Sequence, residues 1–201
     1  MQRYRIDPTI ILASRSKARR ALLRQVGLKF NVDASHIKEN RTLRTCCSRL
    51  VTENALAKAR DVAARHRQGI VIAADTVVLA EGKIIGKPKS IHDAFKTLKL
   101  LSRKQQWVYT GLAVVDIKNK KIFLDYEKTK IYMIPMTDAE IRNYFKKTSP
   151  LDKAGSFDIQ GFGGICIDRI EGCFYNVVGL PLAKLAQMLK KVHIDIFRRQ
   201  I

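Results

Sequence analysis

The run Gly69-Ile-Val-Ile-Ala-Ala-Asp-Thr-Val-Val-Leu-Ala80 constrains this chain more than any other segment. A strand with one wet face alternates apolar and polar residues, whereas a nearly continuous apolar run belongs to a strand covered on both faces. The chain therefore calls for a strand with cover on both faces. Its 201 residues suffice for one sizeable core, or for two lobes sharing a cleft. Only Asp75 and Thr76 interrupt the run. A buried carboxylate is costly unless it is paired, bound to metal or opened onto a cleft, which makes Asp75 the leading catalytic candidate. A structural Asp that closes a buried hydrogen-bond network is the plainer alternative.

The neighbouring segments alternate between strand and helix signals. Thr9-Ile-Ile-Leu-Ala13 reads as a strand that runs into a helix whose apolar spacing begins at Ala18, Leu22 and Leu23, with a serine, Ser14 or Ser16, as its cap. A helix opening straight after a strand presents unpaired N–H groups, and with Lys17, Arg19 and Arg20 beside them it suits phosphate oxygens. Periodicity predicts a second helix from Leu50 to Arg67. Lys58 falls near the edge of its apolar stripe and reads as a solvated lysine that could reach a cleft.

Glu81-Gly82 predicts a turn into Lys83-Ile-Ile85, and Gly86-Lys-Pro88 holds Lys87 in a defined turn. Ser90 caps a helix over Ile91 to Leu101, Trp107 to Ile117 and Ile122 to Pro135 form an antiparallel hairpin, and Thr137-Asp-Ala-Glu140 is a capping box. Ile165 to Ile170 and Cys173 to Val178 read as a second hairpin, and Leu182 to Lys191 as a closing helix.

Between the capping-box helix and that second hairpin lies Ser149-Pro-Leu-Asp-Lys-Ala-Gly-Ser-Phe-Asp-Ile-Gln-Gly-Phe-Gly-Gly164. Its glycines permit close approach of a ligand, while Asp152, Lys153, Asp158 and Gln160 supply carboxylate, cation and amide, a combination that suits a phosphorylated substrate. A long tight connection between strands would use the same glycines.

Charge narrows the partners. Lys and Arg number 38 against 18 Asp and Glu, a formal +20, so an anionic partner such as a nucleotide or a nucleic acid fits. The four cysteines lack metal-site spacing and read as reduced thiols. No apolar stretch has the length of a membrane span, and the opening residues lack a signal-peptide core, so a cytoplasmic location is expected. The lone histidines sit in unrelated contexts and support no Ser-His-Asp or Cys-His set, and Walker-type and dinucleotide glycine motifs are missing from the sequence.

Taken in order, these blocks resemble the Maf family of nucleoside triphosphate pyrophosphatases, also described as septum formation inhibitor proteins. Ile11-Leu-Ala-Ser-Arg-Ser-Lys-Ala-Arg-Arg-Ala-Leu-Leu23 is similar to the family's phosphate motif, Ala73-Ala-Asp-Thr-Val-Val78 to its catalytic strand and Gly86-Lys-Pro88 to its lysine turn. Pro150-Leu-Asp-Lys-Ala-Gly155, Ile159-Gln-Gly161, Ile170-Glu-Gly172 and Asn176-Val-Val-Gly-Leu-Pro-Leu182 resemble its later blocks.

The resemblance implies an α/β fold with a mixed sheet and two lobes around a deep cleft, similar to inosine triphosphate pyrophosphatases, as a single domain over residues 1–201. It implies hydrolysis of a nucleoside triphosphate to monophosphate and diphosphate with Mg²⁺ or Mn²⁺, and a homodimer. Asp75 corresponds to the proton acceptor, Lys87 and Glu39 join it in catalysis, and Asp75 and Glu39 are the metal candidates. Glu39 is aligned by its spacing from Gly27 and Phe30. Ser14, Ser16, Arg19, Lys58, Asp152 and Lys153 line the substrate cleft. Members similar to dTTP and UTP enzymes place an arginine, a threonine and a glutamine at the positions of Ala18, Thr76 and Gln160, so two of the three agree and a pyrimidine is the expected base. The competing reading is a basic nucleic-acid-binding or division-regulating protein on a non-catalytic scaffold. It is the weaker one, because aromatics make up only 7% of the chain and are not interleaved with the basic residues.

Overall fold

The computed structural model describes residues 8–42, 46–151 and 153–198. The strands are β1 (Ile10–Leu12), β2 (Asn31–Val32), β3 (Ile70–Ala80), β4 (Lys83–Ile85), β5 (Gln106–Asp116), β6 (Lys121–Met133) and β7 (Ile167–Glu171). The helices are α1 (Lys17–Gln25), α2 (Cys47–Ala63), α3 (Ile91–Leu101), α4 (Asp138–Lys147), α5 (Phe174–Val178) and α6 (Leu182–Lys190). All seven strands form one sheet in the order β2-β1-β3-β5-β6-β7, with β4 hairpinned onto β3. The β1–β2 and β1–β3 pairs are parallel and the others antiparallel, so the sheet is mixed as expected.

β3 is covered on both faces. Its even-numbered residues Ile70, Ile72 and Ala74 pack with Leu22 and Leu23 of α1 and Leu185, Met188 and Leu189 of α6. Further along the same face, Val78 and Ala80 join Leu98 and Leu101 of α3 and Ile141 and Tyr144 of α4. The odd-numbered Val71 and Ala73 meet Ala55, Ala59 and Val62 of α2. Past Asp75, Val77 packs with Cys47 and Val51 at the start of that helix. The apolar clusters on both faces are thus divided at Asp75 and Thr76, the two residues that interrupt the run.

The edge of β3 away from β5 has a gap. β1 pairs with Ile70 to Ile72 and β4 with Val78 to Ala80, which leaves residues 73–77 without a strand on that side. Opposite, on β5, Gly111 pairs with Asp75. An added Cβ at Gly111 would lie 2.3 Å from the Val51 carbonyl, so α2 rests on bare backbone beside the carboxylate.

Most expected elements are present, including α3 at its predicted bounds and the Thr137–Glu140 capping box. The β3–β4 turn has positive φ at both Glu81 and Gly82, the geometry favoured in a two-residue hairpin. α2 starts earlier than predicted, at Cys47, and ends at Ala63. The second hairpin is a correction: after β7, residues Phe174–Val178 form a helix rather than a strand. Aromatic and β-branched residues favour a strand locally, but the buried Asn176 side chain donates to the Val108 carbonyl and the Thr129 hydroxyl, and Gly179 ends the turn at φ 111°. Gly161–Cys166 forms 3-10 turns, so β7 starts at Ile167 rather than Ile165. No helix among the described residues is long and apolar enough to cross a membrane.

Candidate active site

Asp75 is 1% exposed, and its carboxylate is surrounded by donors. Lys58 Nζ stands 2.8 Å from Oδ1, and Asn54 Nδ2 donates to Oδ2 at 2.8 Å. Lys58 and Asn54 lie four residues apart on α2, so one helical face presents both to the strand. Lys58 is 7% exposed, which corrects the expected solvated lysine: its ammonium is drawn inward by a carboxylate that periodicity cannot display.

The segment after β2 completes the group. Asn40 is clamped to Asn54, its N–H donating to Asn54 Oδ1 and its carbonyl accepting from Nδ2. The clamp sets Glu39 and Arg41 at the mouth of the site. Glu39 pairs with Lys58 and with Arg41, and Arg41 reaches both oxygens of Asp75 at 3.3 and 3.4 Å. Burial opposes ionisation of Glu39, but Lys58 and Arg41 together outweigh it and hold the carboxyl at about 2.

On the opposite face of β3, Arg19 from the first turn of α1 is buried, which pushes its guanidinium down from its ordinary value while Asp75 and Glu39 pull it up. It donates through Nε to the Gly179 carbonyl, through Nη1 to the Ala74 carbonyl and the Ser14 hydroxyl, and through Nη2 to the Thr76 hydroxyl at 2.9 Å. The Thr76 hydroxyl also meets Thr110 Oγ1 at 2.9 Å. Ser16 caps α1 by accepting from the Arg19 N–H, and the Ser16 N–H donates to Ser14 Oγ. Ser14 Oγ therefore accepts twice, and its own proton is left to donate. Lys58, Arg19 and Arg41 also cap the carbonyls of Ala74 and Thr76 in the gap left between β1 and β4.

The structure thus gathers Asp75, Lys58 and Glu39 on one face of β3, and Arg19, Thr76 and Ser14 on the other. The predicted residues outside these groups are placed differently. Ala18 is half-buried on α1, and Lys87 and Gln160 are exposed, with no side-chain hydrogen bond to the Asp75 group. Lys153 pairs with Asp158 at 3.2 Å, and the turn that follows it is tied to the lysine turn through Gly155 N–H to Gly86 O. Asp152 lies outside the described residues. Sequence reasoning missed Asn54 and Arg41. The four-residue spacing from Lys58 could have found Asn54, whereas Arg41 left no signal beyond its nearness to Glu39.

A sequence model of the family described as Maf-like protein matches residues 9–192. The chain belongs to the Maf family. Among its curated Maf relatives, the dTTP/UTP pyrophosphatase of Caldicellulosiruptor saccharolyticus is 40% identical over 96% of this chain and 98% of that protein. Those of Clostridium tetani and Methanosarcina barkeri are 41% and 42% identical, over 92% and 94% of this chain and 98% and 96% of theirs. Among solved structures, the Ham1 protein of Staphylococcus aureus overlaps with TM-score 0.44 at 12% identity, covering 63% of this chain and 72% of that one, a likeness too low to build on.

Proposed function

We propose that this Maf-family chain hydrolyses nucleoside triphosphates, pyrimidine nucleotides foremost, to nucleoside monophosphate and diphosphate. The observation that carries the reading is the Asp75 carboxylate, buried in the central strand yet ionically matched by Lys58 and joined through it to Glu39. The relatives named dTTP/UTP pyrophosphatase, about 40% identical, support the same substrate class.

In this reading Asp75 holds and deprotonates the attacking water, and Lys58 pairs with the carboxylate and fixes its orientation. Ser14 donates its free proton to a phosphate oxygen, assisted by Ser16, Lys17 and the N–H groups at the start of α1. Lys87 and Lys153, in turns joined by the Gly155–Gly86 hydrogen bond, balance the charge of the departing diphosphate, and Asp152 is assigned to the same cleft on family resemblance. Thr76 is engaged by Arg19, so of the arginine, threonine and glutamine associated with pyrimidine selection, the arginine that meets Thr76 in space is Arg19 rather than a residue at Ala18. Gln160 supplies the amide.

Asp75 and Glu39 fit a divalent cation. They converge on the same two basic side chains, and Mg²⁺ or Mn²⁺ typically takes one or two carboxylates plus substrate phosphates. Among the described residues no three His, Cys, Asp or Glu cluster as a metal site, so phosphate and water oxygens would complete the shell. When bound, the cation gathers phosphate charge and polarises the phosphoryl group. A homodimer belongs to this reading on family resemblance alone, and a cytoplasmic location on the reading of the cysteines as reduced thiols. The nucleic-acid alternative is not favoured, since the relatives carry pyrophosphatase names.

Diphosphate release from a panel of canonical and modified nucleoside triphosphates, with Mg²⁺ or Mn²⁺ and beside Asp75→Asn, tests the proposal. Turnover of dTTP and UTP that disappears in the variant supports it, and silence across the panel overturns it.

A further inference from the structure

The four acceptor positions of the Asp75 carboxylate are all taken by the protein itself. Oδ1 accepts from Lys58 Nζ and Arg41 Nη2, and Oδ2 from Asn54 Nδ2 and Arg41 Nη1. A carboxylate offers about four such lone-pair positions, so neither a water nor a cation can reach Asp75 until one donor leaves.

The donors differ in how readily they can leave. Lys58 and Asn54 are buried and bind at 2.8 Å, and withdrawing either would strand a polar group in the interior. The Arg41 side chain is 43% exposed and its bonds to Asp75 and the Thr76 carbonyl are long, at 3.3 to 3.4 Å, where hydrogen bonds are weak. The Asn40 clamp holds the backbone beside it, and the close ion pair of Arg41 is with Glu39 at the mouth of the site, so its long bonds to Asp75 are the first to break. Charge favours exchange as well. Asp75 and Glu39 are neutralised by Lys58 and Arg41, and departure of Arg41 leaves the group with one uncompensated negative charge.

We propose that Arg41 is a displaceable internal cation that holds the place of the divalent metal at Asp75 and Glu39 in the free protein. It withdraws when a nucleoside triphosphate offers phosphate oxygens to its planar fork, and this couples metal binding to the presence of substrate. The inference rests on the metal-dependent reading above. It makes Arg41 a substrate-binding residue, one that keeps the site closed to metal without nucleotide and anchors phosphate with it.

Mn²⁺ binding measured by electron paramagnetic resonance, with and without a non-hydrolysable dTTP analogue, tests this on the parent protein, Arg41→Gln, Arg41→Lys and Asp75→Asn. Without nucleotide, Arg41→Gln is expected to bind Mn²⁺ about tenfold tighter than the parent, within the usual span of coupling between ligands. Arg41→Lys should fall between them, and the analogue should tighten Mn²⁺ binding more in the parent than in Arg41→Gln. Equal or weaker Mn²⁺ binding by Arg41→Gln, with parent binding that still requires Asp75, overturns the role of Arg41 while the metal site stands. Parent binding that is unchanged in Asp75→Asn, or absent even with nucleotide, overturns both.

Discussion

Lys58 Nζ bridges the Asp75 carboxylate at 2.8 Å and the Ala74 carbonyl at 3.2 Å, so one ammonium serves a charge and a backbone acceptor in consecutive residues of β3. Removing it leaves a buried carboxylate that has lost its inner cation. Lys58→Met is expected to cost about 3 kcal/mol of stability, the usual scale for breaking a buried pair. Combining it with Asp75→Asn should recover part of that loss. A double-mutant cycle by urea unfolding measures the coupling, and strictly additive losses would contradict the pairing.

Asp75→Asn itself should keep the fold and nucleotide binding while lowering turnover at least about a hundredfold, the low end of what general-base removal costs. Diphosphate release paired with nucleotide titration separates the two effects, and unchanged turnover would remove Asp75 from the chemistry.

Thr76→Val deletes the hydroxyl that accepts from Arg19 and meets Thr110. About 1 kcal/mol of stability should go with it, together with discrimination between pyrimidine and purine nucleotides. The ratio of kcat/KM for dTTP to that for dGTP is the measurement, and an unaltered ratio would make Thr76 purely structural.

Gly111→Ala places a methyl group against the α2 backbone beside Asp75. The helix that carries Lys58 and Asn54 must lift away, with an expected loss of about 3 kcal/mol, at the upper end for overpacking. Thermal unfolding and turnover should both fall, and a change in neither would mean that α2 seats more loosely than the contact implies.

Asp33 accepts from Arg65 at 2.8 Å and contacts His66 at 2.8 Å, and these hydrogen bonds hold its carboxyl at about 2, below its ordinary 3.8. The stability it contributes is therefore present above its ordinary value and lost as the pH falls through about 2. Asp33→Asn should be less stable than the parent by about 1 kcal/mol near neutrality, the scale of a solvated ion pair, and the difference should close under acid. Urea unfolding across that range measures it, and a gap that persists at the acid end would refute the assignment.

Much of the scaffold was legible because apolar spacing states it directly: the long apolar run of β3, the α3 stripe and the Thr137 capping box are properties of neighbouring residues. The Phe174–Val178 helix was not, because the Val108 carbonyl that Asn176 serves is 68 residues away in sequence. The site divides the same way. Asp75 announces itself as a charge inside an apolar strand, but whether Lys58 points to water or to that carboxylate depends on a contact 17 residues off, and the burial of Arg19 depends on Gly179, 160 residues on.

The stretch of β3 left without a neighbour between β1 and β4 has a consequence for how charge comes to be there at all. A sheet edge inside a protein demands donors for its carbonyls, and here the Ala74 and Thr76 carbonyls receive theirs from two arginines and a lysine. The missing strand is replaced by a cationic comb whose teeth are fastened to the backbone. Polyanions entering the gap would meet positive charge that the sheet already needs at the Ala74 carbonyl, so mutations of Arg19 or Lys58 should damage folding and phosphate affinity together, whereas loss of the loosely held Arg41 should spare the fold.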